Sequence, residues 1–258
     1  MTKINLIIAS FIVLVMGPVG SVEAAEIKIL SAGSLKLAMM DLIPAFQKAS
    51  GHTVTIDYNT AGAVAGRIQA GEPADVVIVS RVQLEKLEGQ GRVAPGSRVN
   101  VAGVGVGVAV RKGAPKPDIS SVEAFKRTLS AAKSIGYVDP ALGSSSGIYV
   151  AGLLERLGLS QSLEPKIKRV RLEGEIEEVF QGVAKGEIEM QIGQITEIVI
   201  SPGVDFAGPL PPELQNTTFL AAGVVTTSKA PEAAKALIEF ISSPASAAVL
   251  KAKGFERG

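Results

Sequence analysis

ILSAGSLKLAMMDL, residues Ile29 to Leu42, is the stretch on which the fold turns. A short apolar run ends in Ala32-Gly33-Ser34 and passes straight into residues with helical spacing, the pattern of a strand, a tight turn and a helix start. A small-residue turn leaves the first helical N–H groups uncovered, and Ser34 adds a hydroxyl beside them. That is an anion site in outline, because free N–H groups and the helix dipole both favour negative charge. Ser is equally at home as a plain N-cap, so Ser34 alone decides nothing.

The same strand-turn-helix unit recurs along the chain. Strands are expected at EIKILSA, TVTIDY and DVVIVS, with helices at about 35–50, 62–71 and 81–90, the first kinked at Pro44. VNVAGVGVGVAVRKG is too long for an average strand and reads as a crossing between lobes, with Gly103, Gly105 and Gly107 allowing bending or close packing. A second series follows: helix about 121–132, strand IGYVD, helix about 146–158, strand IKRVR, helix about 174–185 and strand EMQIG. After the Pro-rich VDFAGPLPPELQ, the run TTFLAAGVVTT reads as a strand returning to the first lobe. PEAAKALIEFIS and PASAAVLKAKG then read as proline-started helices. The expected fold is α/β, with residues 25–104 and 224–258 in the first lobe and 105–223 in the second. Two crossover strands join the lobes and leave a cleft between them.

The chain start reads as an export leader. Lys3 supplies positive charge, INLIIASFIVLVMG an apolar stretch, and SVEAAE a small-residue cleavage zone, with the cut expected after Ala24. A periplasmic, soluble and monomeric protein is expected. What remains is long enough for two lobes of about 100 to 120 residues each. The chain has no cysteine, which removes disulfides and thiolate metal sites, and a single histidine, which leaves little for imidazole-based metal chemistry. No cofactor is expected. A net charge of +1 gives no bulk attraction to nucleic acid or membrane.

In open α/β sheets ligands sit at the carboxyl ends of strands, so the junctions are the places to look. Four carry small polar or Gly residues: Ala32-Gly33-Ser34, Asn59-Thr60-Ala61-Gly62, Gly143-Ser144-Ser145-Ser146-Gly147 and Glu173-Gly174. Each alone is explained by a loop and a cap; together they point to one cleft. Glu173, Glu175, Glu177 and Glu178 complement a helix start but would repel a nearby dianion. Arg67 and the cluster Lys168, Arg169, Arg171 read as solvated surface charges.

AGSLKLAMMDLIPAFQKASG, RIQAGEPADVVIVS, DPALGSSSGIYVAGLLERLG, VAKGEIEMQIG and SPASAAVLKAKGF resemble, in order, the periplasmic molybdate-binding proteins of ABC importers. The resemblance implies a type II periplasmic binding-protein fold that takes a tetrahedral dianion with neutral donors, and an inner-membrane permease as partner. It also implies site residues. The family's early Ser matches Ser34 and its second Ser falls at Ala61, beside Thr60. One backbone amide falls at Ser146, next to Ser145, and another near Ile176. The family's Tyr falls at Gln194. Two of three side-chain donors thus differ. Gln194 together with ITEIVISPGVDFAGPLP resembles a branch of the superfamily that includes periplasmic aconitate isomerase, which interconverts trans- and cis-aconitate by a proton shift.

Two functions follow. One is capture of a small anion, a molybdate-like oxyanion or an organic polycarboxylate, for delivery to an ABC permease. The other is isomerisation of a small tricarboxylate, which needs a base held against a C–H bond. Asp139, Glu173, Glu197 and His52 are the candidates. Asp139 precedes Pro140 and reads as a turn acceptor, and His52 in SGHTV reads as an exposed loop residue. Glu197 shares a face with Gln194 if that segment is helical. A ligand-sensing half of a transcription regulator would share the fold, but the leader and the lack of preceding DNA-binding helices argue against it.

Overall fold

The structure, a computed structural model, describes residues 24–172 and 174–258. The expected leader up to residue 23 and the candidate base Glu173 lie outside the described residues. The elements run β1 (Glu26–Ala32), α1 (Lys36–Ser50), β2 (Thr53–Asn59), α2 (Ala61–Gln69), β3 (Val76–Ser80), α3 (Arg81–Gly89) and β4 (Val99–Val104). Then come β5 (Val106–Arg111), α4 (Val122–Ala131), β6 (Ile135–Val138), α5 (Ser145–Arg156), α6 (Ser160–Leu163), β7 (Ile167–Val170) and α7 (Gln181–Ala184). The chain closes with β8 (Met190–Gln194), α8 (Ile195–Ile200), β9 (Val204–Pro209), β10 (Thr218–Val224), α9 (Pro231–Ile241), α10 (Pro244–Ala252) and β11 (Glu256–Arg257).

These build two mixed sheets, one per lobe. The first has the order β11-β4-β10-β3-β1-β2 and the second β7-β6-β8-β5-β9. β1 runs parallel to β2 and β3, while β10 lies antiparallel to β3 and β4. In the second sheet β6 is parallel to β7 and β8, and β5 is antiparallel to β8 and β9. Each sheet buries its own apolar core: Ile27, Ile29, Val77, Ile78, Leu84 and Leu237 in the first lobe, Val106, Val108, Phe125, Leu129 and Ile192 in the second. Burying such side chains contributes about 1.5–3 kcal/mol each, so each sheet and its helices hold together as a unit.

The structure divides one expected strand and redraws one expected boundary. The long Gly/Val run is divided at Gly105: β4 belongs to the first sheet and β5 to the second, because each half finds a different antiparallel partner. On the return, residues 218–223 fall in β10 and so in the first lobe, where the second lobe was expected to run to 223. The reason is local chemistry. Pro209, Pro211 and Pro212 cannot donate to a ladder, so the second sheet ends there and the crossing is complete before Thr218. The segment expected as one helix at about 174–185 is a 3₁₀ turn, Ile176–Phe180, followed by the single turn α7. α1 runs through Pro44 as one helix.

The two crossings are tied side by side. The Gln215 side chain accepts from Val106 N at 2.8 Å and donates to Val106 O at 3.0 Å, completing the hydrogen bonding of the strand beside it. Within the first lobe Asp75 is a second staple. Its carboxylate accepts from Lys28 N (2.9 Å), Ser228 Oγ (2.7 Å), Lys229 N (3.0 Å) and Ala230 N (3.3 Å), joining β1 to the turn before α9.

Candidate functional site

The carboxyl ends of β1, β6 and β8 converge where the lobes meet. Ala32, Gly33, Ser34, Thr60, Ala61, Val138, Ser144, Ser145, Ile176, Val179, Gln194, Glu197 and Leu220 line one cavity there. Its free space is only about 20 Å³, room for about one water molecule, so entry of any larger solute goes with parting of the lobes.

Of the nine residues expected to contact a ligand, namely Gly33, Ser34, Thr60, Ala61, Gly62, Ser145, Ser146, Ile176 and Gln194, all but Gly62 and Ser146 line this cavity. Ser34 sits in a 3₁₀ turn, Gly33–Leu35, ahead of α1, is 4% exposed, and caps no helix: neither that turn nor α1 has a side-chain cap. No hydrogen bond joins its hydroxyl to another described residue. Thr60 differs. Its Oγ1 accepts from Ala63 N at 3.2 Å and donates to Leu142 O of the opposite lobe at 2.8 Å, so the hydroxyl is occupied by capping and closure. In the Ser run the labour is split three ways. Ser144 caps α5 through Gly147 N, Ser145 faces the cavity, and Ser146 is buried with its Oγ 3.3 Å from that of Ser144.

Gly62 and Ser146 do not line the cavity. Ser146 is turned toward the cap of its own helix. Gly62 packs main chain against main chain on Gly143, donating its N–H to Gly143 O at 3.1 Å, and a Cβ on Gly143 would stand 2.6 Å from Gly62 Cα. Gly33 makes a similar approach, since a Cβ there would overlap Ile176. Further bonds close the seam between lobes: Thr196 Oγ1 to Ser34 O at 2.7 Å, Gln194 Nε2 to Thr218 Oγ1 at 3.1 Å, and the Lys36–Glu177 ion pair at 2.6 Å.

The electrostatics are those of a neutral pocket. No Lys or Arg is among the lining residues. Arg67 is held by Asp57 and Glu72, Arg169 by Glu164, and Arg171 lies 3.8 Å from Asp139, all away from the cavity. Among the described residues the single carboxyl in the lining is Glu197, in the first turn of α8 and one turn on from Gln194, the last residue of β8. Glu197 is 9% exposed, and no hydrogen bond or ion pair joins its carboxyl to another described residue. Burial pushes its pKa up to about 8, so at neutral pH it is mostly protonated and offers an O–H. Gln194 Oε1 is likewise buried without a partner. Among the described residues no group of three or more His, Asp or Glu is placed to hold a metal ion.

Of the other base candidates, Asp139 and His52 lie elsewhere. Asp139 accepts from Ala141 N at 3.0 Å and closes a turn. His52, expected to be exposed, is 6% exposed, packs on Phe46 and accepts from Ala25 N at Nδ1. The start of β1 and the end of α1 close over its ring. The lining residues Val138 at the end of β6, Val179 in the 3₁₀ turn and Leu220 within β10 were not anticipated; an apolar side chain that faces a cavity reads in a sequence like any core residue.

The family model for bacterial extracellular solute-binding proteins matches residues 27–256. An aconitate isomerase of a Pseudomonas species is 35% identical over 234 residues, covering 88% of this chain and 86% of that protein. The molybdate-binding protein ModA of Azotobacter vinelandii is 28% identical, covering 90% of each chain. The solved periplasmic molybdate-binding protein of Azotobacter vinelandii superposes with a TM-score of 0.74 at 21% identity, over 89% of this chain and 98% of that one. This is the type II periplasmic binding-protein fold.

Proposed function

This chain belongs to the bacterial extracellular solute-binding protein family, and from that premise we propose that it captures a small organic polycarboxylate between its lobes. The observation that carries this reading is the pair Gln194 and Glu197. One wall of the cavity is built of an amide and a carboxyl, planar groups that each offer a donor and an acceptor. A protonated Glu197 makes a charge-assisted O–H···O⁻ bond to a carboxylate, beside hydroxyl donors from Ser34 and Ser145. A small tetrahedral dianion is better served by converging hydroxyl and N–H donors, and Ala61 and Gln194 stand where the resembled oxyanion site has two hydroxyls. Export to the periplasm, a monomeric state and delivery to an ABC permease belong to this reading.

A second reading, a proton shift on the bound polycarboxylate, is favoured by the position of Glu197 and by the 35% identity to an aconitate isomerase. One thermal-shift panel tests the ligand class: molybdate, tungstate, sulfate, citrate, cis-aconitate and trans-aconitate. A ligand at about 100 times its Kd stabilises the native state by about 2.7 kcal/mol, a rise in Tm of roughly 5–10 °C for a chain of this size. A polycarboxylate is expected to give that rise. A rise with molybdate or tungstate and none with any carboxylate would reverse the assignment.

A further inference from the structure

We propose that Glu197 is the catalytic proton carrier of this site, moving a proton between two allylic carbons of an unsaturated polycarboxylate held in the interlobe cavity. The inference rests on the carboxylate reading above. Three observations carry it. Among the described residues that line the cavity, Glu197 is the single titratable side chain. Its carboxyl is buried yet bonded to no other described residue, whereas Asp75, also buried, is saturated by four donors. And it shares the cavity with Ser34 and Ser145, hydroxyl donors of the kind that stabilise charge developing on a substrate carboxylate.

The step balances without a further reactant. The Glu197 carboxylate takes a proton from the ligand methylene next to the double bond; that C–H bond breaks and an O–H bond forms. The electron pair enters the conjugated system and spreads onto the adjoining carboxylate, where the serine hydroxyls meet it. The Glu197 acid then returns the proton to the far allylic carbon, the double bond moves one place, and no net proton is consumed. Both protonation states of Glu197 are accessible near neutrality, because burial lifts its pKa to about 8, as a group that must take a proton and give it back requires.

The experiment uses trans- and cis-aconitate as probes in D₂O, read by proton NMR, with binding measured by calorimetry on the same samples. The wild-type protein is expected to exchange ligand C–H for deuterium and to interconvert the isomers. Glu197→Gln, nearly equal in volume and still a donor toward the ligand carboxylate, is expected to weaken binding of either probe by about tenfold, while exchange at saturating probe falls by about 10²-fold or more. If Glu197→Gln fails to fold by circular dichroism, Glu197→Asp serves, with retained binding and about tenfold or greater loss of exchange. Exchange at the wild-type rate in a folded variant that binds would overturn the role of Glu197. Binding without any exchange in the wild type would overturn it too and leave the capture reading intact. Failure of the wild type to bind either probe or citrate would remove the capture reading and, with it, this inference.

Discussion

A serine that is 4% exposed and whose hydroxyl caps no helix and meets no described partner is the plainest functional mark in the molecule. Ser34→Ala is expected to weaken ligand binding by about 1.5–3 kcal/mol, the worth of one hydrogen bond to a charged group, while moving Tm little because no cap is lost. Calorimetry beside a melting curve checks both halves, and unchanged affinity would leave Ser34 without a role in binding. Individual residues were legible in the sequence only where neighbours had already assigned their hydrogen bonds. Thr60, Ser144 and Ser146 look like Ser34 on paper, but capping and closure consume their hydroxyls. His52 and Glu197 were harder still, because whether an isolated titratable residue is buried depends on chain segments far from it.

Among elements, the strand-turn-helix junctions were legible because each carries its own punctuation: a β-rich run, a small-residue turn, then helical spacing. Sheet membership was not. Gly105 reads the same whether a strand passes through it or ends there, and only pairing with β10 or β8 decides. The Asp75 staple is also long-range, spanning β1 and the turn before α9. Burial alone would raise its pKa, but the four donors outweigh that and hold it below the ordinary carboxylate value. A depressed folded-state pKa means stability present above the unfolded value near 3.8 and lost as pH falls below it. Asp75→Asn is therefore expected to lower stability at pH 7 by on the order of 2 kcal/mol and to flatten the loss of stability between about pH 4 and 2. Urea melts across that range measure it, and an unchanged pH slope would mean the staple carries no charge-linked stability.

For the whole molecule, two lobes and a cleft followed from the repeated junctions and the two apolar crossings, whereas the tightness of closure did not. It depends on Gly62 meeting Gly143 across the seam, a contact between segments about eighty positions apart. Gly62→Ala would put a methyl 2.7 Å from Leu142 O, so the lobes must part to admit it. The expected result is a larger radius of gyration by small-angle scattering in the presence of ligand and about tenfold weaker binding, with Tm of the ligand-free protein nearly unchanged. Equal scattering curves for variant and wild type would show that the seam yields elsewhere. The amide of Gln215, bonded on both sides of Val106, adds a mechanical corollary. Two parallel straps fastened to each other resist shear and twist but still bend, so the joint keeps a single soft rotation, and the lobes open and shut along one coordinate like the covers of a book.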